Sequence, residues 1–458
     1  MNRIWMGALL LAFVGCPGCP PPDEGCDGGT CTDGGPDGGY DGGGCMNGFC
    51  TFTLDSRPMH VLSDFTPQIS AALGPNDRIG IAYFNEDAGT GPDGGLDVSY
   101  AIQYLEWQNG QVTVGPEVIR IVHNVSGVSV AFQGNGQPAV AYLGGERDDA
   151  ISVSWWQHDA ALAYRSGSGT WTEQIAAVNS GDAPAGNPVS DNGFIMGLYP
   201  GLVFDGATAY LVYRDVHYGQ SVLGDYDGSD FELASGGPTA WNHRVLIPGG
   251  NNKRFWGGHP HLIMGNGRPA VVSDRVLSLP AAAGQDVLFQ RRADGGTAWS
   301  SPPVLVATAG DTTSGPALAW ESGEHFGVAW ADRLDVNGQG LFFSETPLTG
   351  GAFLGRDPVV QSGSTGWYPS LAFDPGFGHD PVIAYYVCSV RGGVAQLVSC
   401  PVAEDELAIS RRTGMYWYPT TVDLEGALQP KLFYLSTGKR VIVYKDPKRG
   451  TVRIAVEQ

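Results

Sequence analysis

Charged and aromatic residues recur at the ends of short apolar segments in this chain, as Glu146-Arg147-Asp148-Asp149, Arg214-Asp215-Val216-His217-Tyr218, Ser273-Asp274-Arg275, Asp332-Arg333 and Lys445-Asp446. A second set precedes apolar segments: Tyr199-Pro200, Trp256-Gly257-Gly258-His259-Pro260-His261 and Trp367-Tyr368-Pro369. Ring faces beside carboxylates and guanidinium groups suit a sugar, whose C–H faces stack on rings while its hydroxyls need planar or charged partners. The same residues also suit hydrogen bonds between neighbouring structural units and packing at a rim. Glu146, Asp148, Asp149, Asp215, Asp274 and Asp332 would serve as general acids and bases, but glycoside cleavage needs two carboxyls ~5 or ~6.5–9.5 Å apart, a distance that sequence does not supply. There is no His-Glu-x-x-His helix, no Gly-x-Ser-x-Gly elbow, no phosphate loop with its Lys, and no zinc-spaced Cys pair beyond residue 50. We therefore expect no cofactor and no metal.

These residues must be positioned by a chain of 458 residues holding 68 Gly and 31 Pro, more than a fifth of the total against about 12% in average usage. A helical bundle is excluded. The hydrophobic share of 42%, with 12 Trp, 18 Tyr and 18 Phe, supplies ample core, and the net charge of −21 argues against a phosphate-binding surface and hence against nucleic acid. From Thr51 onward one pattern returns seven times: Pro or Gly opens a short apolar strand at Pro67, Gly127, Pro200, Pro260, Pro316, Pro369 and Pro430, spaced 60, 73, 60, 56, 53 and 61 residues apart. Second strands follow from Ile79, Pro138, Ala209, Pro269, Phe326, Pro381 and Arg440, and third strands near Val98, Ala161, Val222, Val287, Leu341, Leu397 and Val452. Four short strands per repeat, without βαβ alternation, predict an all-β, seven-bladed β-propeller over 51–458. The seventh repeat lacks a fourth strand, and Phe52 to Leu62 is expected to supply it and close the ring. Six or eight blades, the latter because Tyr418 to Leu424 also reads as a first strand, and tandem β-sandwiches are the rival readings.

Asp294-Gly295-Gly296-Thr297-Ala298-Trp299 fits the core of the Asp box, Asp-x-Gly-x-x-Trp, at the turn between third and fourth strands. Tyr226-Asp227-Gly228-Ser229-Asp230-Phe231 is a degenerate version, and Arg292 stands where the Asp box usually has Ser. The architecture thus resembles the sialidase/BNR-type propellers over about 400 residues. That resemblance implies that Asp294 and Trp299 are fold residues remote from any site. It does not extend to sialidase chemistry, which needs an arginine triad, an Arg-Ile-Pro motif and a Tyr/Glu pair, because Arg57-Pro58 is the only trace of the motif.

The first 16 residues carry one Arg, an apolar run from Ile4 to Val14, and Gly15-Cys16. The run is too short to span a bilayer, which takes ~20 residues, and reads as a signal peptide h-region. Phe13-Val14-Gly15-Cys16 resembles the lipobox of bacterial lipoproteins, which implies cleavage after residue 15, acylation of Cys16, and an outer-membrane lipoprotein of the cell envelope whose lipid is its membrane contact. Cys19 is the fallback acylation site; an ordinary secretory signal is the alternative. Residues 16–50 form a Cys/Gly/Asp-rich tether, with 12 Gly in 35 positions, too poor in apolar residues to offset the entropy of ordering. The spacings Cys26/Cys31 and Cys45/Cys50 suggest two local disulfide loops, although other connectivities stay open. Cys388 and Cys400 are expected to pair within one blade.

If the first strand of each blade is innermost, loops leading into first strands and loops leaving second strands meet on one face, here called the top. Blade adjacency then gathers Arg214, Asp215, His217, Tyr218, Trp256, His259 and Arg275 from the third and fourth blades into one ligand site. The expected function is a membrane-anchored, noncatalytic binding or scaffold propeller that recognises a glycan or protein partner there. A sialidase-like glycoside hydrolase using top-face carboxylates is the alternative.

Overall fold

The computed structural model describes residues 44–57, 68–90, 96–122, 125–144, 158–179, 195–216, 229–248, 255–256, 259–276, 285–294, 296–309, 314–332, 340–361, 364–376, 378–388, 405–446 and 449–458. The readings for Cys16, for the tether up to Gly43 and for Cys400 fall outside these residues, and so does the side chain of Cys388.

Seven antiparallel sheets carry the chain. An N-terminal hairpin, β1 (Cys45–Met46) and β2 (Phe49–Asp55), comes first. Blade 1 is β3 (Ile69–Leu73), β4 (Ile79–Thr90), β5 (Leu96–Gln108) and β6 (Gln111–Val122); blade 2 is β7 (Val128–Phe132), β8 (Pro138–Gly144), β9 (Asp159–Arg165) and β10 (Trp171–Ala177). Blade 3 is β11 (Ile195–Asp205), β12 (Thr208–Val216), β13 (Ser229–Gly237) and β14 (Ala240–Ile247). Blade 4 has a two-residue strand β15 (Phe255–Trp256) before β16 (His261–Gly265), β17 (Arg268–Val276), β18 (Gln285–Arg291) and β19 (Val304–Ala309). Blade 5 is β20 (Ala317–Trp320), β21 (Phe326–Asp332), β22 (Gly340–Glu345) and β23 (Asp357–Val360); blade 6 is β24 (Ser364–Phe373), β25 (Pro381–Cys388), β26 (Asp405–Thr413) and β27 (Tyr416–Asp423). Blade 7 is β28 (Leu428–Tyr434), β29 (Arg440–Asp446), β30 (Thr451–Glu457) and then β2.

The ring is closed as the missing fourth strand predicts: β2 pairs antiparallel with β30, with Cys50 opposite Val456 and Phe52 opposite Ile454. The closing strand starts at Phe49, and the hairpin that precedes it is tied by a Cys45–Cys50 disulfide. Tyr418 to Leu424 is no first strand, because Tyr418 pairs with Arg411 as the outer edge of blade 6. Two third strands lie later than expected. In blade 3 Val216 pairs with Ser229, and in blade 6 Cys388 pairs with Asp405, so Val222 and Leu397 precede their strands. Apolar pairs in those long connections imitate a strand in composition, but the paired register begins past them.

Burial runs inward to outward. Second strands are covered on both faces by neighbouring blades, as in β8 and β21, where every residue is buried, whereas the outer strands β6 and β14 alternate with solvent. Each of the seven junctions has its own apolar core. Blade 1 meets blade 2 through Phe84, Ile102, Tyr104, Val130 and Tyr142, and blade 7 meets blade 1 through Leu54, Ile81, Leu105, Val443 and Ile454. Trp299 is buried between blades 3 and 4 with Tyr210, Phe231 and Leu262, while Asp294 is exposed. Side chains packed between sheets, each worth ~1.5–3 kcal/mol when fully buried, are what hold such a ring.

Candidate functional site

The first strands line a central channel of about 700 Å³, and the residues just before them form its upper mouth: Tyr199, His259, Ser314, Tyr368 and Gln429. In blades 3 and 6 a matching sequence, Gly-x-Tyr-Pro, builds this mouth. Gly197 and Gly366 have φ of 103° and 87°, and the strand register slips on either side of Leu198 and of Trp367. A Cβ on Gly197 would come 2.7 Å from Ala160 Cα, and one on Gly366 would come 2.6 Å from Leu341 Cβ, so only glycine fits. The bulge puts Tyr199 and Tyr368 at φ of 52° and 51°, a left-handed conformation that non-glycine residues adopt at a cost of order 1–3 kcal/mol. Gln429 repeats this at 54° in blade 7.

Contacts between blades hold the rim. The Tyr199 N–H donates to Ser126 O at 2.9 Å, and the Tyr199 and His259 rings lie 5.4 Å apart at 33°. Across the ring closure, Gln429 Oε1 accepts from the Gln68 N–H at 2.7 Å, and Lys445 Nζ donates to Gln68 Oε1.

Behind the mouth, Asp215, Asp274, Asp332 and Asp446 lie within the last three residues of four second strands and are each at most 1% exposed. Two of them hold loop backbone: Asp274 Oδ1 accepts the N–H of His259, which precedes the first strand of the same blade, at 3.1 Å, and Asp446 Oδ1 accepts the Arg449 N–H at 3.1 Å. Burial pushes the Asp274 carboxyl above the usual aspartate value, with His259 and Arg214 opposing. Asp332 lies 3.4 Å from the Arg356 guanidinium.

Of the residues that sequence gathers into a site, Arg214 is buried and donates to Ser229 Oγ at 2.9 Å, while Asp215 is buried beside it. Arg275 pairs with Asp286 on the adjacent strand of its own blade, and Asp286 also accepts from Thr308 at 2.9 Å. His259 stands at the mouth against Tyr199. Trp256 is placed by its backbone alone, opposite Arg275 in the sheet. His217, Tyr218, Glu146, Asp148 and Asp149 lie outside the described residues.

Sequence reasoning missed the junction of blades 7 and 1, where Asp55 takes bonds from Tyr83, from Asn85 and from Arg57 Nε at 3.1 Å. Burial works to raise the Asp55 carboxyl, but Arg57 and Tyr83 outweigh it and hold it below the usual value. At the junction of blades 6 and 7, Asp423 accepts from Tyr444 and from Arg453 at 3.2 Å. His261, read from sequence as part of the segment leading into its first strand, lines the channel, and so does Lys431, which sequence reasoning missed; the available signal was a polar residue directly after the opening Pro of an otherwise apolar strand. Among the described residues no group of three His, Cys, Asp or Glu side chains is placed to hold a metal ion.

No protein-family model matches the chain, and no curated protein matches it. Solved structures do. A mutant of Trypanosoma rangeli sialidase displaying trans-sialidase activity aligns at a TM-score of 0.44 and 12% identity over 76% of this chain and 55% of that one, so the chain spans about half of that protein's length. The NanB sialidase from Streptococcus pneumoniae aligns at a TM-score of 0.45 and 8% identity, covering 90% of this chain and 95% of that one. The α-L-arabinofuranosidase Arb93A from Fusarium graminearum aligns at 0.45 and 10% identity, covering 88% and 97%.

Proposed function

We propose that this chain is a noncatalytic recognition propeller of the cell envelope that binds a glycan across the upper mouth of its ring. The observation that carries this reading is the convergence of Tyr199, His259 and Tyr368 on one mouth, two of them tyrosines on strained backbone that a glycine bulge maintains. Strain kept at a surface opening points to use, and aromatic faces backed by buried carboxylates suit a polar ring-bearing ligand. The charged groups described on this face already serve the fold: Arg275 with Asp286, Arg57 with Asp55, and Arg453 with Asp423. That leaves them poorly suited to clamp a substrate carboxylate, and favours binding over cleavage. Trp256→Ala tests the wider site. A stacking platform loses more than about 1 kcal/mol of glycan affinity with the melting temperature retained, whereas a rim-packing Trp lowers stability by ~3–5 kcal/mol and leaves affinity intact.

One observation favours the hydrolase alternative: burial raises the Asp274 carboxyl, as a general acid requires. Against it, an Asp274 oxygen is occupied by the His259 backbone. A panel of chromogenic glycosides decides. The binding reading expects no turnover, and turnover abolished by Asp274→Asn would replace it with the enzyme.

The envelope location rests on residues 1–16, which favour acylation of Cys16. Cys16→Ser is expected to move the protein from the membrane fraction to the soluble one, and a variant that fractionates with membranes as fully as the parent would contradict the anchor.

A further inference from the structure

The chain has 47 acidic residues, yet among the described residues the channel lining contains no Asp, no Glu and no Arg. Its walls are chiefly small and apolar side chains of the first strands, and its one ammonium among the described residues is Lys431, on β28. Lys431 has no hydrogen-bond or ion-pair partner among the described residues, and it lines the channel. Being taken out of bulk water pushes its amine down to about 8, as expected for a cation with nothing to neutralise it.

Four further polar side chains of the channel wall can donate as well. His261 Nδ1 accepts the Leu318 N–H at 2.8 Å, which leaves the imidazole proton on Nε2. Burial, together with the charge of Lys431, pushes His261 down to about 3, so it is neutral and carries that single N–H. The hydroxyls of Ser70, Ser129 and Ser370 accept backbone N–H groups of the next blade, from Val130, Leu202 and Leu432, at 3.1, 3.0 and 2.9 Å. These three bonds stitch neighbouring first strands together, and each leaves the hydroxyl its own proton to donate.

We propose that the central channel below the mouth is a second binding site that takes a small organic carboxylate with an apolar body, its carboxylate on the Lys431 ammonium and its hydrocarbon against the first strands. A volume of about 700 Å³ lies within the range of small-molecule sites. The Lys431 ammonium, with the His261 and serine donors of the wall, selects an anion, and the apolar wall selects one with a hydrocarbon body over a compact inorganic ion, which would forfeit its hydration there.

Calorimetric titration of the full chain with octanoate, and with octanamide as its uncharged counterpart, tests the site. We expect saturable one-to-one binding of octanoate, binding of octanamide weaker by at least about tenfold, and a similar loss of octanoate affinity in Lys431→Met. The melting temperature of Lys431→Met should equal or exceed that of the parent, since an unpaired charge has been removed. Octanamide binding as tightly as octanoate, octanoate binding unchanged in Lys431→Met, or no saturable octanoate binding at millimolar concentration would each overturn the proposal. The comparison of the two ligands on the parent decides the matter even if the variant does not fold. Neither titration depends on the mouth, so its failure would leave the glycan reading standing.

Discussion

His325, 8% exposed at the lower end of blade 5, shows how single residues tie blades together. Its Nδ1 lies 2.6 Å from Glu321 and its Nε2 3.3 Å from Glu345, and Glu345 also receives two 2.9 Å bonds from Arg412 of blade 6. The Glu345 bond leads in holding the imidazole pKa above its ordinary value, burial opposes it, and Glu321 adds to the rise. A group whose folded pKa is raised stabilises fully below its unfolded pKa, near 6.5, and loses that contribution as pH rises through the folded value. The stability of the parent relative to His325→Gln should therefore be greatest below about pH 6 and shrink as the solution is made alkaline. Melting curves of both proteins at several pH values check this, and a stability difference that stays constant with pH would contradict it. This clamp was invisible in the sequence, because Glu345 and Arg412 are 67 residues apart and nothing in their neighbourhoods marks them as partners. Arg214, Asp215 and His259 were legible, because each sits beside a strand end that the apolar pattern locates.

At the level of strands, legibility followed burial. Second strands are enclosed on both faces and read as unbroken apolar runs, as in β8 and β21, so all seven were found. Outer strands such as β14 are largely exposed and carry little apolar signal. The displaced third strands of blades 3 and 6 follow long connections whose own apolar residues compete with the true register. Closure was legible as an absence, the seventh repeat ending without its fourth strand. β2 contributes Phe49 and Leu54, 1% and 8% exposed, to two different junction cores. A chain beginning at Ser56 should therefore lose several kcal/mol of stability and self-associate through the bared edge of β30, whereas one beginning at Gly44 should melt as the full chain does. Equal melting temperatures for the two truncations would refute the closing role of β2.

The propeller unit is a ring whose seven junction cores each link two blades, and whose innermost strands leave a channel opening on an aromatic mouth. Blade number and order were written in the spacing of the six prolines and one glycine that open the first strands. The mouth was only half legible, since Tyr199 and Tyr368 stand out beside those prolines but the glycine bulges that set them there are defined by contacts with other blades. The proposed glycan recognition at this mouth is measured most directly with a glycan array probed with the chain and with its Tyr199→Ala/Tyr368→Ala variant. We predict that the parent binds a restricted set of glycans and that the variant, still melting cooperatively, loses at least about tenfold in affinity for each, or about 1.4 kcal/mol. A parent that binds no glycan, or a variant that binds the same set as tightly, would contradict the account.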